Sequence, residues 1–217
     1  MIIAFCVPGR TQSVEFTTGW TETVIYCLNN QIKFYLYTMT GSDIYHVRND
    51  LVSLEAKIPW DMMPCFGGAP YDYMMWIDGD IGFKPYDVMK LINSGKDIIS
   101  GVCPMGPTRR CPCGDLGYDE NGQPTLGYID IAALDKLENE DLIEIEYAGF
   151  GFIAVKKGVF ESMDFPWFRS TPWKHAGHDI NPSEDIGWCF RAREKGWKIW
   201  LHPGVRCTHN KELCLRA

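Results

Sequence analysis

Residues 73–80, YMMWIDGD, join a wholly apolar run to two aspartates separated by one glycine. Five consecutive apolar residues followed at once by polar ones are typical of a central strand whose carboxyl end opens onto a loop. A strand of this kind indicates a parallel sheet with helices packed on its faces. Because ligands of such sheets bind at the carboxyl ends of the strands, Asp78 and Asp80 are expected at a binding edge.

The chain before residue 104 alternates strands with amphipathic helices. Apolar, β-branched and aromatic runs predict further strands at residues 1–7, 32–39 and 97–103. Apolar residues at helical spacing predict the helices between them, and these residues are Phe16, Trp20, Val24 and Leu28, then Ile44, Val47, Leu51 and Leu54, then Val88, Leu91 and Ile92. This alternation predicts an α/β domain with a parallel sheet and helices on its faces.

The chain after residue 104 departs from this alternation. Residues 104–127 are rich in proline, glycine, cysteine and arginine, which predicts a long loop over the edge of the sheet. Two more strands are expected at residues 142–147 and 152–155, on either side of the Gly-Phe-Gly sequence at 149–151.

Two helices and a last strand complete the expected chain. A short helix is predicted at residues 157–163. Ser183 is expected to cap a second helix, with two acids in its first turn. The last strand is predicted at residues 198–201, with residues 202–209 trailing from it.

Composition and charge limit the classes of function. The 217 residues are 46% hydrophobic and 23% charged, which is typical of one globular domain. The formal net charge of -7 argues against a protein that binds nucleic acid through its phosphates. No apolar run approaches the roughly 20 residues that span a bilayer, so we expect no membrane span and a cytoplasmic protein.

The nine cysteines are scattered through the sequence, and their odd number suits a reducing compartment better than a disulfide framework. Cys103, Cys111 and Cys113 lie close together in sequence. Three thiolates could hold zinc if a fourth ligand came from elsewhere, but no Cys-x-x-Cys pair occurs among them. Buried reduced thiols are the favoured interpretation, and the role of this loop stays open.

Three short motifs carry candidate chemistry, and each has an ordinary structural alternative. Asp78-Gly79-Asp80 offers two carboxylates with a glycine that lets a ligand approach, but chance gives about one such motif in a chain of this composition. Ser183-Glu184-Asp185 offers a carboxylate as general base, although serine and acids are also usual at a helix start. His209 is the third, although a histidine near the end of a domain is usually a surface or cap residue.

In this order and spacing, the motifs resemble those of glycosyltransferases of the GT-A fold, most like the family 2 type. The resemblance extends from Ile2 to His209. Asp78 and Asp80 match the D-x-D metal motif, Gly149 to Gly151 the glycine-containing loop, Ser183 to Asp185 the x-E-D motif, and His209 the carboxyl-terminal histidine. Arg48-Asn49 resembles the Ala-Arg-Asn segment whose arginine lies near the donor. The compact length is reminiscent of small versions encoded by phages or large DNA viruses.

The resemblance implies a single Rossmann-like domain over residues 1–217, with a mostly parallel sheet, helices on both faces and a small additional antiparallel β element. Its nucleotide-binding half would span about residues 1–103 and its acceptor-side half about residues 104–217. Further domains of a longer chain are compatible with it. The implied activity is metal-dependent transfer of a hexose from a nucleotide-diphosphate sugar, with a UDP-sugar favoured, to a glycan or another hydroxyl acceptor.

The resemblance also assigns roles to individual residues. Asp78, Asp80 and His209 would hold Mn²⁺ or Mg²⁺, and the imidazole favours Mn²⁺. In an inverting reaction Asp185 would be the general base, with Glu184 orienting the acceptor or the base; the stereochemistry stays open. The donor would be contacted by Pro8, Gly9, Arg10, Thr11, Thr38, Arg48, Asp78 and Gly79.

Two departures from the family pattern keep alternatives open. The first loop, at residues 8–11, lacks the acidic residue that usually follows the first strand. No Q-x-x-R-W sequence follows the x-E-D helix, which argues against a processive polymer synthase.

A nucleotidyltransferase of a related α/β fold is one alternative function, although the glycine-rich first loop of that class is matched only in part. A non-catalytic domain that binds carbohydrate or nucleotide, or that zinc stabilises, is the other.

Overall fold

The computed structural model of the chain describes residues 1–54, 64–106, 110–118, 120–121, 124–137, 141–170, 172–175 and 178–211. The helices in these ranges are α1 (Val14–Asn29), α2 (Ile44–Ser53), α3 (Pro85–Asn93), α4 (Ile131–Leu134) and α5 (Glu184–Glu194), with short 3₁₀ helices at Cys65–Gly68 and Phe160–Ser162. The strands are β1 (Ile2–Pro8), β2 (Lys33–Met39), β3 (Tyr73–Ile77), β4 (Ile81–Gly82), β5 (Ile98–Val102), β6 (Arg110–Cys111), β7 (Cys113–Gly114), β8 (Leu116–Tyr118), β9 (Pro124–Leu126), β10 (Ile129–Asp130), β11 (Ile143–Ile145), β12 (Tyr147–Ala148), β13 (Phe152–Lys156), β14 (Trp173–His175), β15 (His178–Ile180), β16 (Ile199–Arg206) and β17 (Thr208–His209). None of the helices in these ranges is long and apolar enough to cross a lipid bilayer.

A seven-stranded sheet in the order β2-β1-β3-β13-β5-β16-β11 forms the centre of the fold. β2, β1, β3, β5 and β16 run in one direction, whereas β13 lies antiparallel between β3 and β5, and β11 lies antiparallel at the edge. The mostly parallel sheet confirms the predicted α/β class. Because β13 is reversed, its first residue lies at the edge where the parallel strands end.

Helices cover both faces of this sheet and create two cores. Alternate residues of a strand point to opposite faces. In β1, Ile3 and Phe5 belong to the core that α1 and α3 cover, whereas Ala4 and Cys6 belong to the core that α2 and α5 cover. The two cores confirm the predicted helices on both faces.

The first helix buries only part of the predicted face: Phe16 is buried and Trp20 packs against the core, as predicted. Its buried residues are Phe16, Gly19, Thr23 and Cys27. Leu28, which was expected on this face, is 66% exposed. An α-helix has about 3.6 residues per turn, so a stripe that advances four residues at a time rotates by about 40° per step. By Leu28 the predicted stripe has therefore turned away from the sheet.

The second half of the chain contains more strand than predicted. Residues 104–127 are not one loop: β8 pairs with β9 there, while β6 pairs with β10 and β7 with β12. These strands have two or three residues each, too few to show a period in sequence. The helix expected at 157–163 is only a 3₁₀ turn, and the last central strand continues to Arg206.

Candidate active site

The edge at which the parallel strands end collects residues of the predicted motifs and of the glycine loop. Asp78 to Asp80 follow β3, the glycine loop at 149–151 precedes the reversed β13, and β17 follows β16. A cavity of about 130 Å³ lies at this edge. Its lining includes Arg48, Asp78, Gly149, Phe150, Gly151, Asp185 and His209, together with Cys103, Cys111, Pro112 and Cys113. Residues from distant parts of the sequence therefore surround one cavity.

Arg48 lies between the acidic residues of two motifs. Its side chain is only 5% exposed. Nη1 donates a hydrogen bond to Glu184 Oε1 at 2.6 Å, and Nη2 lies 3.5 Å from Asp78 Oδ1. Asp185 Oδ2 is 3.9 Å from Nη1. Arg48 was predicted to meet the phosphates of a donor, and its partners in the structure are carboxylates. Removing it would leave buried charges without a partner, which is strongly destabilising.

The next residue of α2 supports the floor of the site. Asn49 Nδ2 donates to Phe168 O at 2.7 Å, and Phe168 N donates to Asn49 Oδ1 at 3.0 Å. The rings of Phe150 and Phe168 lie 5.6 and 5.8 Å from the guanidinium carbon of Arg48. Both rings are within the range of cation–π attraction. The Arg-Asn pair thus fixes the cation and the aromatic surface beneath it.

The two acids at the start of α5 have different surroundings. Asp185 Oδ1 accepts hydrogen bonds from Ser183 Oγ at 2.5 Å and from Ile186 N at 2.8 Å. Within the described residues Asp185 Oδ2 has no hydrogen bond, and a Cβ on Gly149 would lie 3.6 Å from it. Burial raises the pKa of Glu184, and Arg48 opposes that rise. Asp185 is therefore the acid with an oxygen available to a ligand.

Ser183 occupies the predicted N-cap position of α5, but its hydroxyl makes no capping hydrogen bond to the backbone. The Ser183 hydroxyl instead donates its hydrogen bond to Asp185 Oδ1. The serine therefore orients the Asp185 carboxylate and does not cap the helix. This difference from the prediction favours a role of the motif in the site.

Asp78 lies under the glycine loop. Burial raises its pKa, Arg48 opposes the rise, and the neighbouring charges of Asp80 and Asp185 add to it. Asp78 N donates to Gly151 O at 3.0 Å, which ties the end of β3 to the loop. A Cβ on Gly151 would lie 3.5 Å from Asp78 Oδ2, so the glycine leaves space beside the carboxylate.

Asp80 meets the carboxyl-terminal segment of the described chain. The pairing of β4 with β17 sets Ile81 opposite His209, and Asn210 N donates to Asp80 O at 2.8 Å. His209 Nε2 lies 3.0 Å from Asp80 Oδ2, and Lys211 Nζ donates to the same oxygen at 2.8 Å. Burial opposes ionisation of Asp80, but the hydrogen bond from Lys211 and the charge of His209 outweigh it and lower its pKa.

Lys211 was not among the predicted site residues. It lies two residues after His209, and residues at this spacing in an extended chain point to the same side. The sequence signal that could have found it is this spacing.

The hydrogen bonds of His209 fit a divalent cation beside Asp80. Nδ1 lies 2.8 Å from the carbonyl oxygen of Pro104. A carbonyl only accepts, so Nδ1 carries a proton; Nε2 donates to Asp80 when it is also protonated, and offers its lone pair to a metal ion when it is not. Metal-bound histidines usually donate their other N–H in this way. In the described ranges no three His, Cys, Asp or Glu side chains are grouped to hold one ion, so other ligands would come from water or a bound anion.

The first loop lies against the turn of the D-x-D motif. Ser13 N donates to Gly79 O at 2.8 Å. A Cβ on Gly79 would lie 2.4 Å from Thr11 O, a distance that no side chain tolerates. The glycine is therefore required for the contact between the loop and the motif.

The remaining predicted donor residues lie around the ends of β1 and β2. Pro8 ends β1, and Gly9, with a φ of +116°, donates its N–H to the β2 residue Met39 at 3.0 Å. Arg10 and Thr38 are exposed and do not line the cavity at Asp78. Arg10 has no ion pair or hydrogen bond within the described part of the chain. The structure thus brings this group to the same edge of the sheet, but not into the cavity.

The cysteines of the 103–113 segment lie beside the cavity as two thiol pairs. The pKa of Cys103 is raised mainly by a hydrogen bond with Cys207 and also by burial. A hydrogen bond with Cys113 lowers the pKa of Cys111. All eight described cysteines are free and buried, in keeping with reduced core thiols, while Cys214 lies outside the described residues. The absence of a described three-ligand group gives the zinc alternative no support.

A larger hollow of about 330 Å³ lies elsewhere, against α1 and the start of α3. Its lining includes Val14, Gly19, Phe83 and Tyr86, and none of the predicted site residues lines it. The cavity at Asp78 is smaller, but the predicted acidic and histidine side chains line it, so we take it as the candidate active site.

Comparison with known proteins identifies the fold. The sequence matches no protein-family profile and no curated protein. The structure is similar to that of A197 from STIV, with 17% identity, a TM-score of 0.51, and coverage of 98% of this chain and 87% of that chain. It is also similar to a Drosophila β1,4-galactosyltransferase 7 in complex with manganese, UDP-Gal and xylobiose, with 12% identity, a TM-score of 0.51, and coverage of 97% and 71%. At these identities the likeness shows the GT-A fold, as the sequence predicted.

Proposed function

We propose that this chain is a metal-dependent glycosyltransferase that moves a sugar from a nucleotide-diphosphate sugar to a hydroxyl acceptor such as a glycan. One observation carries the proposal: Asp78, Asp185 and His209, which come from three separate motifs, line one cavity of a GT-A fold. A UDP-sugar is the favoured donor. The Drosophila relative was crystallised with UDP-Gal and manganese, which supports this choice by analogy.

The charge of the site supports a need for a metal ion. Four carboxylates, those of Asp78, Asp80, Glu184 and Asp185, face two side chains that are always or usually cationic, Arg48 and Lys211. A site with this excess of negative charge repels a diphosphate unless a cation is added.

Asp80 and His209 would hold this cation, and Asp78 would reach it through water or contact the ribose. Mixed oxygen and nitrogen ligands favour Mn²⁺ over Mg²⁺. When bound, the ion supplies charge stabilisation for the leaving diphosphate.

The two acids of α5, Glu184 and Asp185, would have different roles. Asp185 lines the cavity, and its Oδ2 would take the proton of the acceptor hydroxyl as general base in an inverting reaction. Ser183 and Ile186 N–H hold the other oxygen and so fix the orientation of the carboxylate. Glu184 is bound by Arg48 and would act as a positioning residue. Gly149 and Gly151 line the same cavity, where a Cβ would lie 3.6 Å from Asp185 Oδ2 and 3.5 Å from Asp78 Oδ2.

A thermal-shift panel tests the proposal. Wild type is melted with UDP, GDP, their sugars and nucleoside triphosphates, each with and without Mn²⁺. We expect stabilisation by one diphosphate nucleotide or its sugar only when Mn²⁺ is present, because ligands that bind the folded state raise its melting temperature. Asp80→Asn should abolish the shift. The control Asp97→Asn, which removes an exposed acid paired with Lys156 at 3.5 Å, should keep it.

The same panel separates the alternatives. No shift with any nucleotide would refute the glycosyltransferase proposal. A shift with a triphosphate but with no diphosphate or nucleotide sugar would favour the nucleotidyltransferase. The division into a nucleotide half up to about residue 103 and an acceptor half beyond it stays part of the proposal.

A further inference from the structure

One oxygen of Asp80 carries two nitrogen partners. Oδ2 accepts a hydrogen bond from Lys211 Nζ at 2.8 Å and lies 3.0 Å from His209 Nε2. We propose that Lys211 is an internal competitor of the metal ion: its ammonium pairs with the Asp80 oxygen that would hold the cation, so Lys211 would have to release Asp80 for the cation to be held there. This inference rests on the proposed function, because it concerns the metal site assigned there, and it adds a regulatory contact to that site.

The backbone brings Lys211 to this position. β17 pairs antiparallel with β4, and Asn210 N donates to Asp80 O at 2.8 Å. His209 ends β17 and Lys211 follows it by two residues, and both side chains reach the same carboxylate. Each ends on Asp80 Oδ2, one as a ring nitrogen able to ligate a metal and the other as a cation that can only donate.

Of the two cationic side chains at the site, Lys211 and Arg48, Lys211 is the one that can exchange its carboxylate partner for water. Its side chain is 57% exposed, whereas that of Arg48 is 5% exposed. Exposed ion pairs contribute little free energy, and a lysine ammonium on a flexible stem is readily hydrated. Arg48, buried against Glu184 and above two aromatic rings, has no such path to water. Lys211 would therefore be a weak rival for Asp80 if a divalent ion were held there.

Direct titration with Mn²⁺ and no nucleotide tests the inference. The electron paramagnetic resonance signal of the free ion gives the affinity of the wild-type chain, Lys211→Met and His209→Gln. We expect Lys211→Met to bind Mn²⁺ about 2- to 5-fold more tightly, the range that corresponds to losing an exposed ion pair. His209→Gln should bind more weakly. Opposite signs distinguish a competitor from a ligand.

Lys198→Met is the matched control. Lys198 pairs with Glu144 at 2.7 Å and is 64% exposed, so the pair resembles that of Lys211 in distance and exposure but lies outside the candidate site. Its Mn²⁺ affinity should equal that of the wild type. Melting curves check that each variant folds, and Lys211→Gln replaces Lys211→Met if the latter melts early.

Unchanged or weaker Mn²⁺ affinity after removal of Lys211 overturns the inference, and so does the absence of binding by every variant at millimolar Mn²⁺. The Mn²⁺ titration and the nucleotide panel can fail independently of each other. Tighter Mn²⁺ binding by Lys211→Met without any nucleotide effect would support the competitor and refute the glycosyltransferase. Metal-dependent nucleotide binding with unchanged Mn²⁺ affinity in the variant would do the reverse.

Discussion

Glu184 and Asp185 are adjacent in sequence, yet their carboxylates are held by different partners. Arg48 binds Glu184 at 2.6 Å, while Ser183 and the N–H of Ile186 bind only one oxygen of Asp185. An oxygen that faces a cavity can accept a proton from a ligand, whereas one saturated by a guanidinium accepts it less readily.

At the residue scale we therefore expect Asp185→Asn to separate binding from catalysis. Asparagine keeps an oxygen for Ser183 and Ile186 but loses the base, so donor affinity should change by less than about 2-fold while transfer falls by about 100-fold or more. Release of nucleotide diphosphate with a panel of acceptor glycans measures transfer. Glu194→Gln, at the exposed end of the same helix, serves as control. Near-normal transfer by Asp185→Asn would make this acid a helix-end residue only.

The site residues that could be predicted are those with a local signal. Asp78 and Asp80 follow an apolar strand, and Asp185 follows a serine at a helix start. The contact between Lys211 and Asp80 could not be predicted in the same way, because it joins residues 131 positions apart through the pairing of two two-residue strands. The pairing of Arg48 with Glu184 likewise depends on the folded arrangement of α2 and α5.

At the element scale, the packing of α1 on β4 depends on Gly19. A Cβ at this position would lie 2.4 Å from Phe83 O. Alanine improves helix propensity by about 1 kcal/mol, but overpacking costs about 1–3 kcal/mol, and a backbone carbonyl cannot move aside as a side chain does.

We therefore expect Gly19→Ala to lower the free energy of unfolding by about 1 kcal/mol or more, as measured by urea denaturation. Thr21→Ala, on the exposed face of α1, should change it by less than about 0.5 kcal/mol. A Gly19→Ala variant more stable than the wild type would show that α1 does not pack this closely.

The elements themselves were predicted well where their patterns are long. β1, β2, β3, β5 and the helices α1, α2, α3 and α5 occupy the expected stretches of chain. The buried face of α1 was predicted only in part: Phe16 and Trp20 pack against the core, but the four-residue stripe includes the exposed Leu28. It omits Gly19 and Thr23, which are small or polar and carry no apolar signal. The direction of β13 could not be predicted, since a five-residue apolar strand has the same pattern in either direction.

At the scale of the whole molecule, both cores are built on the same strands. β1, β3 and β13 each contribute alternate residues to the core under α1 and α3 and to the core under α2 and α5. Loss of either core would expose one face of the shared sheet to water. Cooperative unfolding of small single domains follows from shared contacts of this kind.

We therefore expect one unfolding transition for the chain. Near-ultraviolet circular dichroism, which reports the packing of aromatic residues such as Trp76, Phe150 and Trp188, should give the same urea midpoint as the far-ultraviolet signal of the helices. Two separated midpoints would instead indicate that the predicted halves, 1–103 and 104–217, unfold as independent units.

The reversed direction of β13 also determines what lies at the other edge of the sheet. β1, β2, β3 and β5 begin there and β13 ends there at Lys156, and among the described residues no candidate site residue adjoins these strand ends. Dyes, immobilisation tethers or fused reporter proteins attached at this edge would remain a full strand length from the cavity. This edge of the sheet is therefore suited to attachment in single-molecule and surface-based assays, because it lies away from the candidate site.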